Sequence, residues 1–440
     1  MFAAFLLSAL PLVAPQGDEP TGQATVYRLD HIETLTGDAL QNASIVVRDG
    51  VIERIGQSVI VPDHARVIDL RGTGSVAMPP FVLGQAQGLL PSDSRGTGGY
   101  GRYVAAGVHR ADEDVMEDLR EAGVLLVGLV PPGSGIPGRT SVIRSDASEL
   151  AEDTLVHDLH LVMTLDMSKS SKDLLRKAFE SAEEAIEKEE KARADWQKAR
   201  KEWEEKQKAA AEEAKKQKEG EGKGGKAADE PKKGEDKEPP KEFQAPRIDP
   251  NIQPVVDLIR KERVVQVWID SPGEWLHWLD VVGDREFAWE LVLDHGNSTN
   301  LHEVADAIAA AGVRVYAPAR IPNLPSTQLR TNLVAELLAA GVEKLVLLPT
   351  STRSSRALES WRVGLGDLVR EGLDRNAALR GVSVEPAQAM GQEELVAPLE
   401  AGGPATFVIL EGDPLDPLAR VSHLVAAGEV IYDRAKEEEN

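Results

Sequence analysis

From Ile252 onward the sequence alternates between short apolar runs and amphipathic helical stretches. The runs are VVQVWID (264–270), WELVLDHG (289–296), VRVYAPA (313–319) and KLVLLPT (344–350). Helical patterns over 274–282, 300–312 and 332–340 separate them, the last closed by Gly341. Strands and helices alternating at this spacing predict βα units and a parallel sheet. Upstream, AGVLLVGLVP (122–131) is continuously apolar, as a strand covered on both faces must be. SVIRS (141–145) and LHLVMTL (159–165) follow as candidate strands three and four, and the stretch VAMPPFVLGQAQGLL (Val76–Leu90) supplies the first. Eight such strands predict a closed barrel, and 440 residues suffice for one barrel plus a small satellite.

The satellite begins before that first strand. ATVYRL, ASIVVRDGVIERIG and ARVIDL are short β-rich runs broken by turns. The Asp49-Gly50 pair between SIVVR and VIERI signals a two-residue hairpin, because a type I′ turn needs positive φ at both central positions. Residues 1–17, MFAAFLLSALPLVAPQG, form an apolar run of signal-peptide length, too short to span a bilayer, and predict export to the periplasm or beyond.

Composition changes abruptly over residues 169–242. That segment holds 21 of the 50 Lys and Arg and 21 of the 73 Asp and Glu, so it is neutral and the rest of the chain carries the net charge of -23. Its first part, about Lys172 to Lys218, is rich in Ala, Glu and Lys and predicts a helix. Leu175, Ala182, Trp196, Trp203 and Ala210 share one heptad position, which Glu189 interrupts. A single charged helix or short helical hairpin therefore fits better than a stable coiled coil. Glu219 to Pro240 lacks apolar anchors and predicts disorder.

The acidic balance argues against nucleic acid or an anionic membrane as partner. With no cysteine, disulfides and thiolate sites are excluded. The Gly-rich segments 96–101 and 133–138 lead into no helix opening with Lys-Ser/Thr, so neither reads as a phosphate loop. There is also no Gly-x-Ser-x-Gly elbow for a serine nucleophile.

Several short motifs, taken in order, resemble the amidohydrolase superfamily, and its imidazolonepropionase-like branch in particular. They are Val61-Pro62, the VIDLRG run Val67–Gly72, Met78-Pro79 entering the first barrel strand, then Pro386-Ala387 with Met390-Gly391, and Gly412-Asp413-Pro414-Leu415 in the closing strands. Pro80 departs from the usual Gly. The resemblance covers nearly the whole chain apart from the first 17 residues and the charged insert. It implies a distorted TIM (β/α)8 barrel over 79–403 and a composite β-sandwich from residues 23–78 and 404–434.

The resemblance also implies a divalent metal site, zinc above all, at the C-terminal mouth of the barrel. Its ligands are His-x-His on strand one, a Lys or Glu on strand four, a His each on strands five and six, and an Asp on strand eight. Here strand one offers Gln85 and Gln87. Strand four, around Val162 to Leu165, offers no Lys or Glu. Strand five offers Trp268, with Asp270 two residues on and Asp166 beyond strand four as nearby carboxylates. His295 on strand six matches, and strand eight offers Ser351. Catalytic zinc takes about three protein ligands, so His295 as the sole retained position does not hold it and reads as a hydrogen-bonded core or mouth histidine rather than a ligand. The two Gln amides read as strand-end hydrogen-bonding groups. A carboxylate pair such as Asp166 with Asp270 could act without metal, but nothing in the spacing demands it.

Two functions follow. The first is a binding or partner protein on a barrel that has lost metal-dependent hydrolysis, with no cofactor and with a protein partner reached through the 172–218 helix. The alternative is a hydrolase of carbon-nitrogen bonds in small molecules. Family members are commonly oligomeric, which implies a possible oligomer here too.

Overall fold

The computed structural model describes residues 22–93, 96–99, 101–220, 238–293, 300–324, 327–352 and 356–437. Residues 1–17, expected to direct export, His295 and most of the Glu219–Pro240 stretch lie outside the described residues.

Strands β1 (Thr25–Ile32), β2 (Leu40–Arg48), β3 (Val51–Gly56), β4 (Arg66–Asp69) and β5 (Ser75–Met78) come first. The next eight are β6 (Phe81–Ala86), β7 (Val124–Leu129), β8 (Ser141–Arg144), β9 (His160–Thr164), β10 (Val264–Ile269), β11 (Ala288–Leu293), β12 (Val315–Pro318) and β13 (Leu345–Leu348). Last are β14 (Phe407–Glu411), β15 (Arg420–Ala426) and β16 (Glu429–Asp433).

The two chain ends meet in one sheet, ordered β16-β15-β14-β5-β1-β2-β3 with β4 also on β1. The seam between them is the antiparallel pair β14–β5, which sets Ile409 opposite Ala77. β2 turns into β3 through Asp49 and Gly50, whose φ values of 50° and 78° are those the hairpin needs. Asp30 holds the turn before β5 onto β1. Its carboxylate accepts the backbone N–H of Gly72 at 2.8 Å, Gly74 at 2.8 Å and Ser75 at 3.1 Å. Those bonds, Gly72's foremost, hold its pKa below the usual carboxylate range. Under the sheet, Tyr27 meets Phe407 edge-on at 5.1 Å.

β9 to β13 form a parallel series in chain order, joined by helical crossovers. β6 pairs parallel with β7, and β13 lies beside β6. Candidate strand three departs from the expected pattern: β8 runs antiparallel to β7, with Ser141 opposite Leu129. The cause is the connection. Residues 130–140 are a short Pro- and Gly-rich connection holding only the strands Gly133–Ile136 and Gly138–Arg139, whereas a parallel neighbour requires a crossover of a dozen residues or more, usually helical.

Side chains alternate along the parallel strands. Met163, Val267 and Leu291 pack outward beneath the helices, while Val162, Trp268 and Val292 pack inward with Tyr316, Val346 and Leu348. Close approach of β6 needs glycine. A methyl at Gly84 would sit 3.0 Å from Val346, and one at Gly128 would meet the Gly84 carbonyl at 2.5 Å.

The charged insert opens as one helix, α1 (Lys169–Gly220), which agrees with the single-helix expectation. Its contact with the body extends further than the apolar residues of its first turns suggest. Leu175, Phe179 and Ala182 are fully buried, and Ile186 is partly buried against the same core. Phe179 stacks on Phe287 at 5.5 Å, and Glu189 takes Arg260 at 2.9 Å. Beyond Glu189 the returning chain lies along the helix. Trp196 donates its indole N–H to the Pro240 carbonyl at 2.8 Å and packs on Phe243, over which Arg193 also sits. The indole of Trp196 is thus occupied by the insert's own return. Among the described residues no helix is long and apolar enough to cross a membrane.

Candidate functional site

At the C-terminal ends of the parallel strands, Gln87 and Thr352 tie the first strand to the chain leaving β13. The Gln87 backbone N–H donates to the Thr352 hydroxyl at 2.9 Å, and that hydroxyl donates back to the Gln87 carbonyl at 2.7 Å. Ser351, the strand-eight position, is the half-buried residue just before Thr352. Trp268 points between the sheets and is 4% exposed, packed on Val162, Val292, Tyr316 and Leu348.

Asp270, two residues on, enters helix α2 (Pro272–Val282). Ser271 caps that helix, its hydroxyl accepting the Glu274 N–H at 3.4 Å, while Glu274 reaches back to accept the Asp270 N–H at 2.5 Å. This is a reciprocal capping arrangement. Burial raises the pKa of the Glu274 carboxyl, the Asp270 bond opposes the rise, and the charge of Asp166 adds to it. Asp166 itself is exposed and accepts the Ser168 N–H at 2.7 Å at the approach to α1. The carboxylates of Glu274 and Asp166 thus serve helix starts.

Gln85 makes its hydrogen bond in the interior. Its strand has a register irregularity between Leu83 and Ala86, and its side chain turns down into the interior, 2% exposed. There it donates to Gln266 Oε1 at 2.5 Å. Gln266 donates in turn to Glu290 and to the Tyr316 hydroxyl, each at 3.1 Å, and Tyr316 donates to Glu290 at 2.7 Å. Arg314 Nε stands 3.3 Å from the other oxygen of Glu290, and His160 Nε2 lies 4.0 Å from the carboxylate. Burial, reinforced by the Glu290 charge, pushes the Tyr316 phenol well above its ordinary pKa. Burial also lowers the pKa of His160, against a smaller opposing pull from Glu290. A signal for this network did exist in the sequence: Gln266 and Glu290 are polar residues on the inward row of otherwise apolar runs, and they stand opposite each other in register.

The implied zinc can be tested against these donors. The Gln85 amide nitrogen is committed to Gln266, and its oxygen, which has no hydrogen-bond partner among the described residues, is one neutral carbonyl. An indole cannot ligate at all. Among the described residues no group of three or more His, Asp or Glu side chains is arranged to hold a metal. The strand-one and strand-five residues do not fit zinc.

The sequence matches no protein-family model and no curated protein. Solved structures do match. An amidohydrolase from Thermotoga maritima MSB8 is 18% identical, with 93% of this chain and 100% of that chain covered at a TM-score of 0.69. A beta-aspartyl dipeptidase from Fervidobacterium islandicum AW-1 is 11% identical over 94% and 97% of the two chains, with a TM-score of 0.49. A triazine hydrolase variant is 15% identical over 93% and 95%, also at 0.49. The first of these, together with the motifs of the sequence, establishes that this chain has the amidohydrolase-superfamily fold.

Proposed function

We propose that this chain is a distorted (β/α)8 barrel that has lost metal-dependent hydrolysis and works as a binding or partner protein. One observation carries the reading: Trp268 and its apolar neighbours occupy the inner end of the barrel where the fold's metal would lie, while Gln85 is bound into a network one row below. Function depends on the site and not on the fold, so hydrolase relatives alone do not assign hydrolysis here. The charged helix supplies the partner-facing element, with the export segment placing it outside the cytoplasm.

Hydrolysis of carbon-nitrogen bonds in small molecules is the competing reading, favoured by the shared fold. An assay of the full chain separates the two. N-acyl amino acids, dipeptides and cyclic amides are incubated with it, with and without added zinc or manganese. The proposal expects no turnover above the uncatalysed rate. Metal-stimulated turnover that Asp270→Asn abolishes would establish the hydrolase reading instead.

A further inference from the structure

The opposite end of the parallel strands holds a cavity of about 350 Å³, lined by Phe287, Trp289, Val313, Glu290, Arg314 and Lys344 among others. That size suits a small organic molecule. Its aromatic walls are braced from behind: Trp289 packs edge-on against Trp278 at 5.6 Å, and Phe287 stacks on Phe179 at 5.5 Å. The wall geometry is therefore set before any ligand arrives.

The charges divide unequally. Glu290 is already closed off by Tyr316 at 2.7 Å, Gln266 at 3.1 Å and Arg314 at 3.3 Å. Arg314 is anchored by a further bond to the Glu385 carbonyl at 3.0 Å, which fixes its guanidinium in the wall. Lys344 is exposed at the rim and has no ion-pair partner among the described residues. With the Arg314–Glu290 pair neutral, the cavity carries one uncompensated positive charge on a mixed lining that includes Phe287 and Trp289. A cationic ligand would be repelled by Lys344 and find Glu290 taken. A compact polyanion would face Glu290 and leave the aromatic walls unused.

We propose that this cavity binds a small organic monocarboxylate, its anionic end toward Lys344 and Arg314 and its flat apolar body against Phe287 and Trp289. The site is separate from the mouth and does not depend on whether the mouth is catalytic. Anchored guanidinium and aromatic walls provide preorganisation, which limits the entropy lost on binding.

The test is isothermal titration calorimetry of the full chain with benzoate, benzylamine and inorganic phosphate, each up to about 10 mM. Benzoate is expected to saturate at one site. Lys344→Glu, a change at an exposed residue, is expected to weaken it at least about tenfold. Benzylamine and phosphate are expected to bind at least about tenfold more weakly than benzoate. Failure of benzoate to saturate overturns the proposal, as does indifference to Lys344→Glu. Benzylamine matching benzoate would refute the charge assignment, and phosphate matching it would refute the role of the aromatic walls.

Discussion

Gln85 on β6 and Gln266 on β10 are joined by a 2.5 Å side-chain bond, so two strands of different sheets are held together through their amides. Below them Tyr316 and Glu290 continue the chain of donors toward Arg314. In a low-dielectric interior, each member of such a network depends on its partners.

Tyr316→Phe removes the donor to Glu290 while keeping the ring in place. Leaving a buried carboxylate oxygen short of one hydrogen bond should destabilise the protein by about 1–3 kcal/mol in urea unfolding. A change below about 0.5 kcal/mol would mean that the Gln266 and Arg314 contacts alone satisfy Glu290.

The network also gives stability a pH dependence. Burial lowers the folded pKa of His160 below its ordinary value of 6.5, so the unfolded chain binds the proton more readily. Its contribution is present above about pH 6.5 and is lost as pH falls through and below that value. Urea midpoints measured between about pH 7.5 and 5.5 should fall with pH, and His160→Gln should flatten part of that slope. A slope unchanged in the variant would assign the effect to other groups, such as the buried His109 and the half-buried His423, whose pKa values desolvation also lowers.

Trp268 fills the inner end of the strands. Trp268→Ala opens a cavity there and should cost about 3–5 kcal/mol, read from chemical denaturation. A loss under about 1 kcal/mol would show that the space closes by itself or that the indole packs loosely.

The insert allows a graded test. Removing residues 206–236 and joining the ends with a short flexible link spares the buried contacts of Leu175, Phe179 and Ala182, the Glu189–Arg260 pair and the Trp196–Pro240 bond. The thermal midpoint should stay within about 2 °C of the full chain. Removing 180–241 discards Ala182, Ile186 and Glu189 as well and should lower it by more than about 5 °C. Equal midpoints for the two deletions would show that the contacts beyond Phe179 contribute nothing.

What could be read in the sequence was governed by local rules. The Asp49-Gly50 turn, the Asn332 and Gly341 helix ends and the parallel runs around Val267, Leu291 and Leu347 each follow from residues close in sequence. Asn332 accepts the Ala335 N–H at 3.0 Å, and Gly341 has φ 102°. The antiparallel course of β8 was missed because SVIR has the same apolar character in either direction, and only the short loop before it decides. The Gln85–Gln266–Glu290 network was missed because it joins residues 181 and 24 positions apart, and a polar residue inside an apolar run does not announce its partner. The reach of α1 over the body is not legible in the sequence, because Ala182 and Glu189 are unremarkable until Phe287 and Arg260 come beside the helix.

The central claim is that the mouth of this fold has given up its metal, and metal content tests it most directly. The full chain is equilibrated with excess zinc, passed through a desalting column and assayed by inductively coupled plasma mass spectrometry, before and after treatment with a chelator. Sites lacking about three strong ligands release zinc on the column, so the account predicts less than about 0.1 zinc per chain. Near-stoichiometric zinc that survives the chelator would contradict it.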